Sequence, residues 1–132
     1  MVAGMVEACP QKLSARYKQQ YAELGYVAFE GVLSAAEVEE AKQALSRVTQ
    51  TMMQALRAGV AEVKQAPPGA TKNYAGPRVL KGDADCVLHF EVGIDPLALS
   101  DAEAELAFRK LHNYHEQDAV FTRLVEHPRL RG

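Results

Sequence analysis

The stretch Gly31-Val32-Leu33-Ser34-Ala35-Ala36-Glu37-Val38-Glu39-Glu40-Ala41-Lys42, residues 31–42, opens the largest element of the chain. Ser34 and Glu37 stand three apart just ahead of an apolar series. That is the pattern of a capping box, in which each side chain satisfies an otherwise orphaned backbone amide at a helix start. Beyond it Val38, Ala41, Leu45, Val48, Met52, Leu56, Val60 and Val63 recur every three or four residues, with Glu39, Glu40, Lys42, Gln43 and Arg47 between them. The period predicts one long amphipathic helix over residues 35–64. Gly59 weakens its last turns by roughly 1 kcal/mol relative to alanine, and Pro67-Pro68-Gly69 ends it.

Upstream, Leu13, Tyr17, Tyr21 and Leu24 share one face of a helix over 11–24, with Gly25 as its stop. The aromatic and β-branched run Tyr26-Val27-Ala28-Phe29 then reads as a strand over 26–30. Downstream, residues 66–85 hold three prolines and three glycines without a helical period and read as a loop. Loops of this length are usually functional or mobile. Cys86-Val87-Leu88-His89-Phe90-Glu91-Val92 is a second strand, with Cys86, Leu88, Phe90 and Val92 on one face and Val87, His89 and Glu91 on the other. Ser100 with Glu103 is a second capping box, opening a helix over 101–115 with Leu106, Ala107, Leu111 and Tyr114 on its apolar side. Val120, Phe121, Leu124 and Val125 close the chain with a short helix over 118–126, stopped before Pro128. The class is α+β, within one domain or domain fragment spanning 1–132.

The composition excludes several functions. With 132 residues, 48% hydrophobic and 24% charged, the chain is an ordinary globular one rather than a disordered one. Fifteen basic and seventeen acidic side chains leave a net charge of −2, which argues against bulk attraction to nucleic acid or an anionic membrane. No apolar run approaches the roughly 18 residues of a membrane span. Cys9 and Cys86 are too few for a disulfide framework, and the N-terminus lacks the basic flank and apolar stretch of a signal peptide. A cytoplasmic protein with reduced thiols is the expectation.

Four groups of residues invite a chemical reading. His89-Phe90-Glu91 places two ligands on one strand face, and with His127 as a distal ligand and Arg129 or Arg131 as a carboxylate anchor it imitates the facial site of non-haem iron oxygenases. The helical patterning between Glu91 and His127 argues against it, because such a site needs intervening strands to return the third ligand. His112, His115 and Glu116 fall on one side of the helix over 101–115 but match no metal-binding helix motif, so solvated or locally bonded side chains are the better reading. The glycine-flanked segment 69–76 lacks the GxxxxGK[ST] order of a phosphate loop. Lys110, next to Arg109, reads by itself as part of an exposed charge-paired helix, with Glu105 and Arg109 four apart. No catalytic residue and no metal ligand is assigned.

Two segments resemble the phytanoyl-CoA dioxygenase family of Fe(II)- and 2-oxoglutarate-dependent oxygenases. One is Tyr21-Ala22-Glu23-Leu24-Gly25-Tyr26-Val27-Ala28-Phe29-Glu30-Gly31-Val32-Leu33-Ser34 with the helix after it. The other is Phe108-Arg109-Lys110-Leu111-His112-Asn113-Tyr114 continuing through Asp118-Ala119-Val120-Phe121 to Leu124-Val125-Glu126-His127-Pro128-Arg129-Leu130. The resemblance implies the helix-rich N-terminal portion of a double-stranded β-helix (jelly-roll) oxidoreductase, with few of the barrel strands present. It also implies iron and 2-oxoglutarate as cofactors and a small-molecule substrate that is hydroxylated. The family's HxD motif, distal histidine and arginine are expected beyond Gly132, so the chain is expected to be incomplete and inactive alone. Of the family's cosubstrate contacts, Lys110 is the one implied within this sequence, as a point charge for a carboxylate of 2-oxoglutarate. The alternative is a non-enzymatic helical module that binds a protein partner through an exposed apolar face. On the oxygenase reading, apolar surface that the barrel strands would cover predicts self-association.

Overall fold

The computed structural model describes residues 6–70, 76–82 and 86–131. Its longest element is helix α2 (Ala35–Arg57), following strand β1 (Glu7–Ala8), helix α1 (Ala15–Leu24) and strand β2 (Phe29–Glu30). The capping box of α2 forms: the Ser34 hydroxyl accepts from the Glu37 amide at 3.1 Å, and the Glu37 carboxylate accepts from the Ser34 amide at 3.2 Å. The helix buries Ala44, Val48, Thr49, Met52, Met53 and Leu56. Thr49 satisfies its own buried hydroxyl by donating to the Leu45 carbonyl at 2.9 Å.

The helix expected over 35–64 stops at Arg57. Gly59 takes a left-handed φ of +74°, a conformation that glycine adopts without steric cost, and the chain turns back as strand β3 (Ala61–Lys64). Val60 and Val63 therefore continue no helical stripe, and Val60 lies exposed. The expected loop over 66–85 also contains a strand, β4 (Arg78–Lys81), which pairs antiparallel with β3 from Ala61 opposite Lys81 to Lys64 opposite Arg78. Residues 71–75 and 83–85 of that loop, and so most of the glycine-flanked segment 69–76, lie outside the described residues.

Strand β5 (Val87–Phe90) pairs antiparallel with β4, and the helix expected over 101–115 divides into helix α3 (Asp101–Ala107) and strand β6 (Phe108–His112), which pairs antiparallel with β5. The result is a four-stranded meander in the order β3-β4-β5-β6. The second capping box forms at Ser100 and Glu103, but α3 ends where Phe108 becomes extended. Competition between local and long-range bonding explains the switch. Leu111 faces Leu88 and Phe108 faces Phe90 across the β5–β6 ladder, so the strand supplies both backbone partners and core side chains. Glu105 accepts from Ser46 at 3.0 Å and from Gln50 at 3.4 Å, tying α3 to α2. The register slips between His89 and Phe90, a bulge that leaves Arg109 out of the ladder.

Ala61, Val79, Cys86, Leu88 and Phe90 fill one sheet face and merge with the buried side of α2 into a single core, joined by Ala104, Val120 and Phe121. Helix α4 (Ala119–Val125) is capped by Asp118, whose carboxylate accepts from the Val120 amide and pairs with Arg47 at 2.8 Å. Helix α5 (Pro128–Arg131) follows. The N-terminal elements stand apart in character: β1 and β2 form a two-residue parallel pair, and α1 buries no residue. The molecule is thus mixed α+β with open sheets.

The open face of the sheet as candidate functional site

Strand alternation assigns each sheet residue to a face. With Leu88 and Val79 in the core, their sequence neighbours project the other way. Arg78 on β4 pairs with His89 on β5, and His89 pairs with Lys110 on β6. Leu80 pairs with Val87, and Val87 with His112, one step along the same face. Lys110 is therefore a strand residue, not the helix residue expected from its charge-paired surroundings, and its sheet face also carries Arg78, His89 and His112 and, on β3, the paired Glu62 and Lys64.

His89 is the centre of this face. It is only 7% exposed, and its ring meets that of His112 edge-on with 4.9 Å between centroids. Burial, and then the nearby His112, Lys110, Arg78 and Arg109, hold its pKa down at about 4, so the imidazole is neutral at physiological pH. The Nε of Arg78 is buried and has no hydrogen-bond partner. A buried donor left in that state is uncommon in folded proteins. His89 is thus a neutral, protonatable group flanked by cationic side chains on the adjacent strands. Cys86 lies on the opposite, core-facing side, where burial chiefly pushes its thiol pKa up and makes it inert.

The other sequence candidates go elsewhere. Glu91 lies beyond the end of β5, 3.7 Å from Arg109. His127 bonds through Nε2 to Glu37 at 2.7 Å, while its Nδ1 accepts from the Arg129 amide at 3.2 Å, so it ties α5 to the cap of α2. The Arg129 guanidinium donates to the Gly31 carbonyl at 2.7 Å, and Arg131 pairs with Glu126. His112 ends β6, Asn113 turns the chain with φ +53°, and the His115 ring lies 3.8 Å from its neighbour Glu116, so no helix face unites the three. Among the described residues, no group of three His, Cys, Asp or Glu side chains is placed to hold a metal ion. Among the described residues, His89, Glu91 and His127 are thus not brought together: Glu91 turns to Arg109 and His127 to Glu37.

Arg78 and His89 as neighbours of Lys110 escaped the sequence reading. The alternation in Arg78-Val79-Leu80-Lys81 was the available signal, hidden within a stretch rich in proline and glycine.

A concavity of about 520 Å³ lies between α1 and the segment leading into β2. Leu13, Tyr17, Tyr21, Tyr26 and Phe29 line it, and Tyr17 stacks edge-on to Phe29 at 4.9 Å. Leu13, Tyr21 and Tyr26 are exposed.

No family model, curated protein or solved structure matches the chain. No helix among the described residues is long and apolar enough to cross a membrane.

Proposed function

We propose that the chain is the N-terminal part of a cytoplasmic, phytanoyl-CoA dioxygenase-like Fe(II)- and 2-oxoglutarate-dependent hydroxylase, with Lys110 as a carboxylate-binding residue. The carrying observation is the two-sidedness of the four-stranded sheet: α2 closes one face, and Lys110 stands on the other, across from His89 and in line with Arg78. Jelly-roll folds place two sheets face to face, and barrels of this kind enclose ligand sites between their walls. A sheet with a helix on its outer side and cations on its inner side suits one wall of such a barrel. Lys110 would hold a carboxylate of 2-oxoglutarate as a point charge, and Arg78 would contribute a planar guanidinium to the same anionic region. The described residues supply no iron ligand set, so no oxidative step is derived from them, and the chain by itself is proposed to be inactive.

Amide NMR of the chain titrated with millimolar 2-oxoglutarate tests this reading. The expected result is saturable shifts confined to β4, β5 and β6, lost in Lys110→Ala. Shifts that are absent, or that survive the substitution unchanged, overturn it.

The second reading, a non-enzymatic module that takes a protein partner, draws on the aromatic groove beside α1. Sedimentation separates the two. An oxygenase fragment with uncovered inner surface is expected to self-associate. A monodisperse monomer with a sharp, highly stable unfolding transition favours the module.

A further inference from the structure

The aromatic concavity beside α1 has a neighbour. Leu13 and Phe29, which line it, also line a second concavity of about 240 Å³ between the segment after β1 and helix α5. The two adjoin as one apolar track across the N-terminal unit, open to water at Leu13, Tyr21, Tyr26 and Leu130. From Tyr17 to Gly25 alone, the track follows about 12 Å of helix at 1.5 Å per residue, the reach of about four residues of extended chain. The hydroxyls of Tyr21 and Tyr26 bond to no partner among the described residues. Such a tyrosine offers an apolar ring and a polar tip together, which is why the residue is enriched in protein interfaces.

The charges along the track are of one sign. Lys18 lines the first concavity, Lys12 and Arg129 line the second, and no carboxylate lines either. The acids of the same unit are placed elsewhere. Glu7 is held by Arg16 and Tyr17, Glu23 accepts from Gln19 at 2.8 Å, and Glu30 borders neither concavity. None of the three cations pairs with a carboxylate among the described residues; Arg129 donates to the Gly31 carbonyl, which leaves its charge uncompensated. In a chain of net charge −2, a track bearing cations alone is a local inversion of sign. It is complementary to an anionic occupant.

We propose that this track binds a short acidic segment of a partner protein, with apolar side chains seated against Leu13, Tyr21 and Tyr26 and carboxylates turned to Lys12, Lys18 and Arg129. This rests on the reading of the groove as a partner surface, and assigns the partner's chemistry. A second copy of the chain is the poorer occupant, because a twofold pairing lays the same patch on itself and sets like charges together. A flat anionic bilayer meets only the rims of a concave track, whereas a peptide chain fills it. Burial of the rings supplies affinity, and the cations fix register and reject basic segments.

The test is selection of a random peptide library displayed on phage against the intact chain, followed by fluorescence anisotropy of the selected peptide. The expected peptide combines aromatic or leucine residues with several Asp or Glu, and its binding weakens as salt rises. Tyr21→Ala weakens it by about tenfold or more. Lys18→Glu weakens it as well, and a peptide with one acid changed to lysine regains affinity for that variant alone, a rescue that a misfolded variant could not show. Neutral peptides that still depend on Tyr21 overturn the acidic chemistry and leave the partner surface standing. Acidic peptides indifferent to both substitutions bind elsewhere and overturn the proposal. Failure to select any peptide overturns the proposal and the partner surface together. A dimer in sedimentation that Tyr21→Ala dissolves overturns it in favour of a second copy, and tighter binding to phosphatidylserine vesicles than to the peptide overturns it in favour of a membrane.

Discussion

The sheet with α2 and the N-terminal unit of β1, α1 and β2 are stabilised in opposite ways. In the first, Met52, Met53, Val79, Leu88 and Phe90 are almost wholly removed from water around one shared core. In the second, α1 buries nothing; it is held by a polar cluster in which Glu7 accepts from Arg16 at 2.6 Å and from the Tyr17 hydroxyl at 2.7 Å. Those bonds hold the Glu7 carboxyl below its ordinary range, the Arg16 hydrogen bond contributing most. Exposed ion pairs contribute little, because water screens them and long side chains lose entropy in forming them. The contrast teaches that amphipathic spacing alone does not decide what is core. Leu13, Tyr17, Tyr21 and Leu24 have the spacing of a buried stripe, yet they border an open groove.

The largest effect is expected where the first region is cut. Phe90 is 1% exposed and sits where β5 meets β6 beside the bulge. Phe90→Ala removes most of a ring from a packed core and should cost about 3–5 kcal/mol in denaturant unfolding. A loss no larger than the roughly 0.5 kcal/mol of a surface substitution would show that the sheet face is not closed by α2.

Next comes the opposite side of the same sheet. The His89 pKa lies at about 4 in the folded chain against an ordinary 6.5. An unfolded chain therefore binds the proton first as the pH falls, and the stability contribution is complete above the ordinary value and lost progressively as pH falls toward the folded one. The full loss is about 3 kcal/mol. Urea midpoints of wild type and His89→Gln, compared between neutral and mildly acidic pH, should diverge by much of that amount, with the wild type the more acid-sensitive. Parallel curves would remove His89 from the buried cationic setting assigned to it.

A smaller effect belongs to the junction between the two regions. Ser34 caps α2, and its partner Glu37 also holds His127. Ser34→Ala should cost about 1 kcal/mol. Destabilisation as large as that of Phe90→Ala would mean that the cap organises the core rather than a helix end.

The capping boxes at Ser34 and Ser100 were legible because both partners are three residues apart and need nothing distant. Of the face read as Cys86, Leu88, Phe90 and Val92, the first three enter the core because alternation is local, whereas Val92 lies past the end of β5 and is exposed. The ends of the elements were not legible. Val60 and Val63 extend the helical series of α2 and equally fit a strand, and only pairing with β4 decides between them. Phe108-Arg109-Lys110-Leu111-His112 follows a well-capped helix and contains good helix formers, but β5 would lack a partner on that side without it. That switch from helix to strand also brings the site together. Lys110 could be singled out by resemblance, but its company of Arg78, His89 and His112 is a product of the meander's register, which no local pattern encodes.

The smallest effect is expected in the N-terminal unit, and it discriminates best. Tyr21 lines the groove and is 62% exposed. Tyr21→Ala should change global stability by no more than about 0.5 kcal/mol, the usual range for surface substitutions. The same logic orders hydrogen exchange. Amides in the middle of α2 open only with the whole core, whereas α1 needs to lose only the Glu7–Arg16–Tyr17 cluster, the Tyr17–Phe29 contact and the short β1–β2 pair. Helix α1 should therefore exchange by local opening, much faster than α2 and nearly independent of denaturant. Association of two chains through the groove would slow α1 exchange as concentration rises and make Tyr21→Ala a mutation of assembly rather than of stability. If α1 instead exchanged as slowly as α2 in dilute solution, the groove would be closed by contacts within one chain, and the division between a core and an outlying unit would fall.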